Sequence, residues 1–245
     1  MIISKKMNEI VVSLVTYYPK ESIRRNLAIK SIKELTKHYE VIVVDGGSDS
    51  EFLDEIKTLG AKVYPQETKG LREAKRQSYR KAYETKKAII ICMEPEKFDF
   101  IKSIPDLVSE LKTKNLDIIY PGRKAFQKCP TFQTYTEQAG NLFFGDYLNL
   151  YWDYFFGPII WKRDCSNYFL DFKEKVPEAS WDIHIIGPII AKKDGKKVEQ
   201  LKIDFTYEKE MMQEEEKSII FNQKRINQLN SLTQTIQLYP ELKFN

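Results

Sequence analysis

Hydrophobic positions along the chain fall into two periods, and the repeated switch between them predicts strands alternating with helices. Residues Ile10 to Val15 form a short apolar run, and from about Glu21 to Lys37 the side chains Ile23, Leu27, Ile32 and Leu35 recur on one helical face. The pair repeats: Glu40 to Val44 reads as a buried strand, Glu51 to Leu59 as a short helix stopped by Gly60, and Ala61 to Tyr64 as a third strand. A helix from about Gly70 to Glu84 follows, with Leu71, Ala74, Ser78 and Ala82 on its inner face, and then the strand Ala88 to Cys92. Ser103, Pro105 and Asp106 mark another helix start, because proline is tolerated in a first turn and acidic groups suit the positive end of the helix dipole. Asp117 to Tyr120 reads as the fifth strand. Parallel strands need crossover connections and the usual crossover is a helix, so this order predicts an α/β fold with a mainly parallel central sheet flanked by helices.

Beyond Tyr120 the pattern changes. A loop is expected from Pro121 to about Thr134, then an aromatic stretch from Tyr135 to Tyr154, and then strands at Phe155 to Trp161 and Val198 to Phe205 with a helix near Trp181 to Lys192 between them. The tail from about Glu208 to Leu238 reads as one long C-terminal helix, periodic through Ile219, Ile226, Leu229 and Ile236. Within the segment LFFGDYLNLYWDYFFGP, the side chains Phe143, Phe144, Leu148, Tyr151 and Phe155 suit the core face of a helix. Its rings also suit a sugar-binding surface, or an apolar strip lying on a membrane that carries a lipid-linked acceptor.

Composition narrows the classes. With 245 residues and 42% hydrophobic content, the chain is expected to fold as one domain over 1–245. The 39 basic and 35 acidic residues leave a net charge of +4, scattered along the chain, and no nucleic-acid partner is expected. Three cysteines without CxxC spacing predict neither a disulfide framework nor a zinc site, and a reducing cytoplasm is the expected location. No run of roughly 18 apolar residues is present, so the expectation is a protein without a transmembrane segment, with peripheral membrane contact still open.

Three buried-looking strands end in polar groups: Val15 runs into Thr16, Val44 into Asp45, and Cys92 with Met93 into Glu94. In open α/β sheets the ligand crevice lies beyond the carboxyl ends of the strands, so these endings should converge. Gly46 and Gly47 allow a sharp turn there, with Ser48 or Asp49 able to cap the next helix. The helix beginning at Gly70 carries Arg72, Lys75, Arg76 and Arg80, of which Arg72 and Arg76 share a face one turn apart and suit phosphate oxygens. Glu94, Pro95, Glu96 and Lys97 offer two hard carboxylate ligands and a cation.

IVVSLVTYYP, EVIVVDGGSDSE, KGLREAKRQSYRKA and AIIICMEPEK, in this order and spacing, resemble the signature segments of family 2 glycosyltransferases. The resemblance implies a GT-A (nucleotide-diphospho-sugar transferase) fold. It divides the chain into a nucleotide-sugar-binding half over 1–120, an acceptor-side half over 121–207 and a helical tail over 208–245. It implies transfer of a sugar from a nucleotide-diphosphate sugar, with UDP favoured, to a hydroxyl of a glycan, a lipid-linked or a small-molecule acceptor. Carried onto this sequence, Thr16, Tyr18, Asp45 and Gly46 would hold the nucleoside, Arg72, Arg76 and Lys97 the diphosphate, and Glu94 and Glu96 a divalent cation, Mn²⁺ or Mg²⁺. Glutamates stand here where the family has aspartates. Asp182, in SWDIHIIGP, resembles the acidic position that supplies the base of an inverting transfer. His184 is a further candidate metal ligand, and Trp152, Phe156, Gly157 and Trp181 are acceptor-side candidates. A retaining route, a nucleotidyltransferase and a non-catalytic nucleotide-sugar or glycan-binding protein remain as alternatives, although TYYPKES lacks the glycines of a nucleotidyltransferase phosphate loop.

Overall fold

The computed structural model describes residues 8–20, 22–126, 129–176, 181–216 and 218–244. Its strands are β1 (Ile10–Thr16), β2 (Glu40–Asp45), β3 (Lys62–Pro65), β4 (Ile89–Cys92), β5 (Ile118–Arg123), β6 (Ile159–Lys162) and β7 (Val198–Ile203). Its helices are α1 (Ile23–His38), α2 (Ser50–Thr58), α3 (Leu71–Glu84), α4 (Ile104–Thr113), α5 (Thr131–Leu148), α6 (Asn167–Leu170), α7 (Asp182–Lys193), α8 (Lys209–Glu216) and α9 (Ile219–Gln237). Among the described residues the strands form one sheet in the order β3-β2-β1-β4-β6-β5-β7.

β1 lies inside the sheet, parallel to β2 on one side and to β4 on the other. Helices cover both faces, which is why β2 and β4 read as apolar runs rather than alternating ones, and β1 does so but for Ser13, whose hydroxyl is paired with Ser78. Only β6 runs antiparallel to its neighbours, β4 and β5. The strand-helix alternation and mainly parallel sheet expected from the sequence are therefore present.

Several boundaries differ, each for a local reason. Glu21, the expected start of the first helix, lies outside the described residues, and α1 begins at Ile23. β5 runs past Tyr120 through Pro121 to Arg123, because beyond Ile119 it pairs with β7 alone and an edge tolerates proline. The strand expected from Phe155 starts only at Ile159: Phe156 is wedged edge-on between Phe100 and Phe205, and Gly157 turns the chain at φ +101°. The tail divides into α8 and α9, the second helix starting where the Ser218 hydroxyl accepts from the Phe221 amide.

The loop expected up to about Thr134 ends earlier, because α5 starts at Thr131, and this helix carries the aromatic stretch as far as Leu148. Gly140 and Gly145 leave room for the rings of Phe155 and Tyr151 to fold back onto the helix. Phe144 and Leu148 join the core with Leu232 and Ile236 of α9, whereas Tyr151 is 64% exposed and does not belong to that face.

Candidate active site

A cleft of about 380 Å³ opens beyond the C-terminal ends of β1 and β4. Thr16 to Tyr18 and the turn Glu94 to Lys97 form its floor, Lys75 and Trp181 one side, and residues of α8 and α9 the other. The strand endings converge as their sequence suggests, but each makes a distinct local structure.

At the β2 end, Asp45 is a structural hub. One carboxylate oxygen accepts from the Gly47 and Ser48 amides at 2.8 and 2.7 Å, and the other from the Thr16 and Ser48 hydroxyls at 2.6 and 2.7 Å. Ser48 in turn accepts from the Tyr18 amide, so the β1 and β2 loops are locked together. Asp45 and Gly46 stand behind the cleft wall rather than on it. Of the two adjacent tyrosines, Tyr18 is buried edge-on against Phe52, and burial followed by its contacts with Glu96 raises its hydroxyl well above the usual range. Tyr17 is 68% exposed, lines the cleft and presents the ring that is open to stacking.

Arg72 and Arg76 do not reach the cleft. Arg72 donates from Nε to Asp182 Oδ1 at 2.8 Å and from a terminal nitrogen to Asp182 Oδ2 at 3.0 Å, and also to the Val176 carbonyl. Arg76 is held by Glu73, Glu174 and the Phe172 carbonyl. The two arginines fasten α3 to the 171–176 segment and α7. Asp182 is fully buried, also accepts from the Ile183 amide, and is absent from the cleft wall. Burial pushes its carboxyl up and Arg72 pulls it down, with burial the stronger. Its oxygens are committed to a bidentate ion pair rather than presented to an acceptor.

Leu71 and Lys75 are the α3 residues that do line the cleft, and Lys75, although among the basic residues noted on that helix, was given no role at the site. Its side chain is buried, its Nζ makes no hydrogen bond, and the ammonium lies 3.4 Å from the centroid of the Trp181 ring. Burial lowers it to about 8, against the pull of Glu94. A hidden ammonium without an acceptor is costly, and an anion in the cleft would supply one.

The Glu94–Lys97 turn is already neutralised by cations of the chain. Lys97 donates to Glu94 Oε2 at 2.8 Å and to the Phe156 carbonyl, while Glu96 pairs with Arg24 at 3.8 Å. Burial alone would raise Glu94, but Lys97 and then Lys75 hold it below the usual carboxylate range. His184 gives Nδ1 to a hydrogen bond with the Tyr79 hydroxyl at 3.0 Å; burial, then Lys75 and Lys97, keep its ring neutral. Among the described residues no group of three or more His, Cys, Asp or Glu side chains is placed to hold a metal ion. The expected set of Glu94, Glu96 and His184 fits a divalent cation poorly: Lys97 holds Glu94 Oε2 and Arg24 faces Glu96, which leaves Glu94 Oε1 and His184 Nε2, both buried without a hydrogen-bond partner, as the open donors.

Two of the acceptor-side candidates line the cleft and two do not. Trp181 and Gly157 are on its wall, Gly157 so close to Glu94 that a Cβ would strike the carboxylate. Trp152 stacks on Tyr120, with ring centroids 5.5 Å apart, and Phe156 is a core residue. The far wall, from Met211 to Gln228, was not anticipated. There Glu215 pairs with Arg24, and Arg225 pairs with Glu137 at 3.5 Å. The packing of α8 on α1 and of α9 on α5 brings these residues over the strand ends, and no local pattern in the tail encodes it.

Comparison with known proteins agrees with this geometry. The family model described as "Glycosyl transferase family 2" matches residues 14–171. A search of curated protein sequences finds no match. Among solved structures, the chain is similar to glucosyl-3-phosphoglycerate synthase from Mycobacterium tuberculosis, with TM-score 0.63 and 16% identity over 94% of this chain and 81% of that chain. A complex of that enzyme with UDP gives TM-score 0.62 and 17% identity over 94% and 82%. A complex with Mn²⁺, UDP-glucose and phosphoglyceric acid gives 0.60 and 18% over 94% and 81%.

Proposed function

The chain belongs to glycosyl transferase family 2 and has the GT-A fold, and from that premise we propose that its cleft binds a uridine-diphosphate sugar and passes the sugar to an acceptor hydroxyl. The observation that carries the reading is Lys75, a buried ammonium without a hydrogen-bond acceptor beside the ends of β1 and β4. A diphosphate supplies what that group lacks. Tyr17 stacks on the base at the exposed end, Thr16 and the Asp45 turn hold the loop beneath it, and Lys75 and Lys97 face the diphosphate. Trp181 and Gly157 border the space where the sugar meets its acceptor. Uridine is supported by the solved relatives, which include complexes with UDP and UDP-glucose. The three cysteines are free and two of them buried, which suits work in the cytoplasm. The Arg72–Asp182 pair acts by holding α3 against α7, and so holds Lys75 and Trp181 in register.

Thermal unfolding with UDP, GDP and their common sugars tests the reading. At roughly 100-fold excess over Kd, UDP is expected to raise Tm by about 5 °C or more, and UDP-sugars to be turned over in the presence of an acceptor panel. A protein whose Tm responds to no nucleoside diphosphate overturns it.

A further inference from the structure

We propose that Lys75 and Lys97 take the place of the divalent cation, so that this enzyme binds and releases its nucleoside diphosphate on ammonium charge alone. The inference rests on the donor reading above and concerns how the same cleft manages the diphosphate.

Four features of the cleft lead to it. Lys97 is fixed rather than mobile: it is nearly buried, bonded to Glu94 Oε2 at 2.8 Å and to the Phe156 carbonyl, and keeps one N–H of its three for a further acceptor. Lys75 Nζ is buried without any acceptor and is held over the Trp181 ring. Glu96 lies 3.8 Å from Arg24, a guanidinium it shares with Glu214 and Glu215, and beside Tyr18. Gly157, at φ +101°, has no Cβ, and the Glu94 carboxylate fills the space one would take.

The charge count decides the matter. Of the charged residues that line the cleft, Arg24, Lys75, Lys97, Lys224 and Arg225 stand against Glu94, Glu96, Glu137 and Glu215, a net charge of +1. A divalent ion at the unpartnered Glu94 Oε1 would sit beside two ammonium groups, and could take both carboxylate oxygens only by displacing Lys97. A diphosphate instead brings negative charge to a site that already has a cation to spare.

In the reaction, the bond from the anomeric carbon to the β-phosphate oxygen breaks and its electron pair stays on that oxygen. The acceptor oxygen forms the new bond to carbon, and its proton is released to solvent. The departing diphosphate thus gains one negative charge, which the two ammonium groups stabilise without a metal.

Calorimetric titration of the full chain with UDP, in EDTA and in millimolar MnCl₂, tests the proposal, with uridine as the control that lacks phosphates. UDP affinity is expected to agree within about twofold between the two conditions, well below the tenfold or more that loss of a charged contact produces. Titration of Mn²⁺ alone, followed by the electron paramagnetic resonance signal of the free ion, is expected to show no saturable site. Lys75→Met is expected to lower UDP affinity about tenfold or more while leaving uridine affinity unchanged, and Lys75→Arg to restore it. UDP binding that needs Mn²⁺, or a saturable Mn²⁺ site lost in Glu94→Gln, overturns the proposal while leaving the transferase reading intact. Failure to bind UDP in both conditions overturns the donor reading and this inference with it.

Discussion

Arg72 and Lys75 lie three residues apart on α3 and are almost equally hidden, at 6% and 4% exposure, yet the protein treats them in opposite ways. Arg72 meets a carboxylate in bidentate geometry and a backbone carbonyl. Lys75 meets an indole face and no acceptor. A buried cation with its partners built in is a tie between elements. A buried cation without them is a place kept for a ligand. Sequence position alone favoured Arg72 for the ligand, because it is nearer the helix N-terminus. The packing of α7 against α3 reverses that choice.

The largest test of the contrast is to remove the carboxylate behind Arg72. Asp182→Asn takes away the bidentate partner of a buried guanidinium and leaves it only Glu174, at 3.7 Å, as counter-charge, and is expected to cost about 3 kcal/mol of unfolding free energy in urea titration. Replacing both partners with apolar residues of similar volume, Arg72→Met with Asp182→Leu, is expected to recover most of that loss. An Asp182→Asn protein of unchanged stability that binds UDP but transfers no sugar would return Asp182 to the role of base and erase the distinction.

Lys75 is expected to behave in the reverse sense. Burial lowers its ammonium from the ordinary lysine value of 10.5 to about 8, so between these pH values the unfolded chain binds more protons than the folded one. Stability contributed at this site therefore rises with pH across that window. Lys75→Met removes the slope and is expected to gain about 2–3 kcal/mol at pH 7 relative to wild type, read as the difference between the two denaturation curves. Loss of stability in Lys75→Met would mean that the ammonium has structural partners after all, and the two faces of α3 would no longer differ in kind.

These two residues also show where sequence stops being informative. The strand ends at Thr16, Asp45 and Glu94 were readable because each follows a run that is apolar but for Ser13, and a strand buried on both faces has to announce its exit in polar residues. The helix carrying the basic residues was readable from its period. Which of those residues would find a partner was not, since the Arg72 partner lies 110 positions further along. Tyr17 and Tyr18 illustrate the same limit at short range. Period-two alternation sends them to opposite sides, but only the packed Phe52 shows which side is the interior. The wall from α8 and α9 depends on a helix break at Ser218 and on docking against α5, both of which are tertiary outcomes of a sequence that is simply amphipathic.

The gentlest way to sharpen the comparison is Gly157→Ala. Gly157 adopts φ +101°, where side-chain-bearing residues are strained, and its missing Cβ is the space that the Glu94 carboxylate fills. The substitution is expected to cost about 1–2 kcal/mol and to push Glu94 away from Lys97. Arg72 and Asp182 make none of their hydrogen bonds or ion pairs with Gly157 or Glu94 and should not be affected. UDP affinity is therefore expected to change in Gly157→Ala while the further loss caused by Asp182→Asn is the same in either background, within the few tenths of a kcal/mol that mark independent sites. A double-mutant cycle with a larger coupling would mean that the tie and the open cation share one network, so that loading the cleft with a diphosphate would tighten the very contact that holds α3 in place.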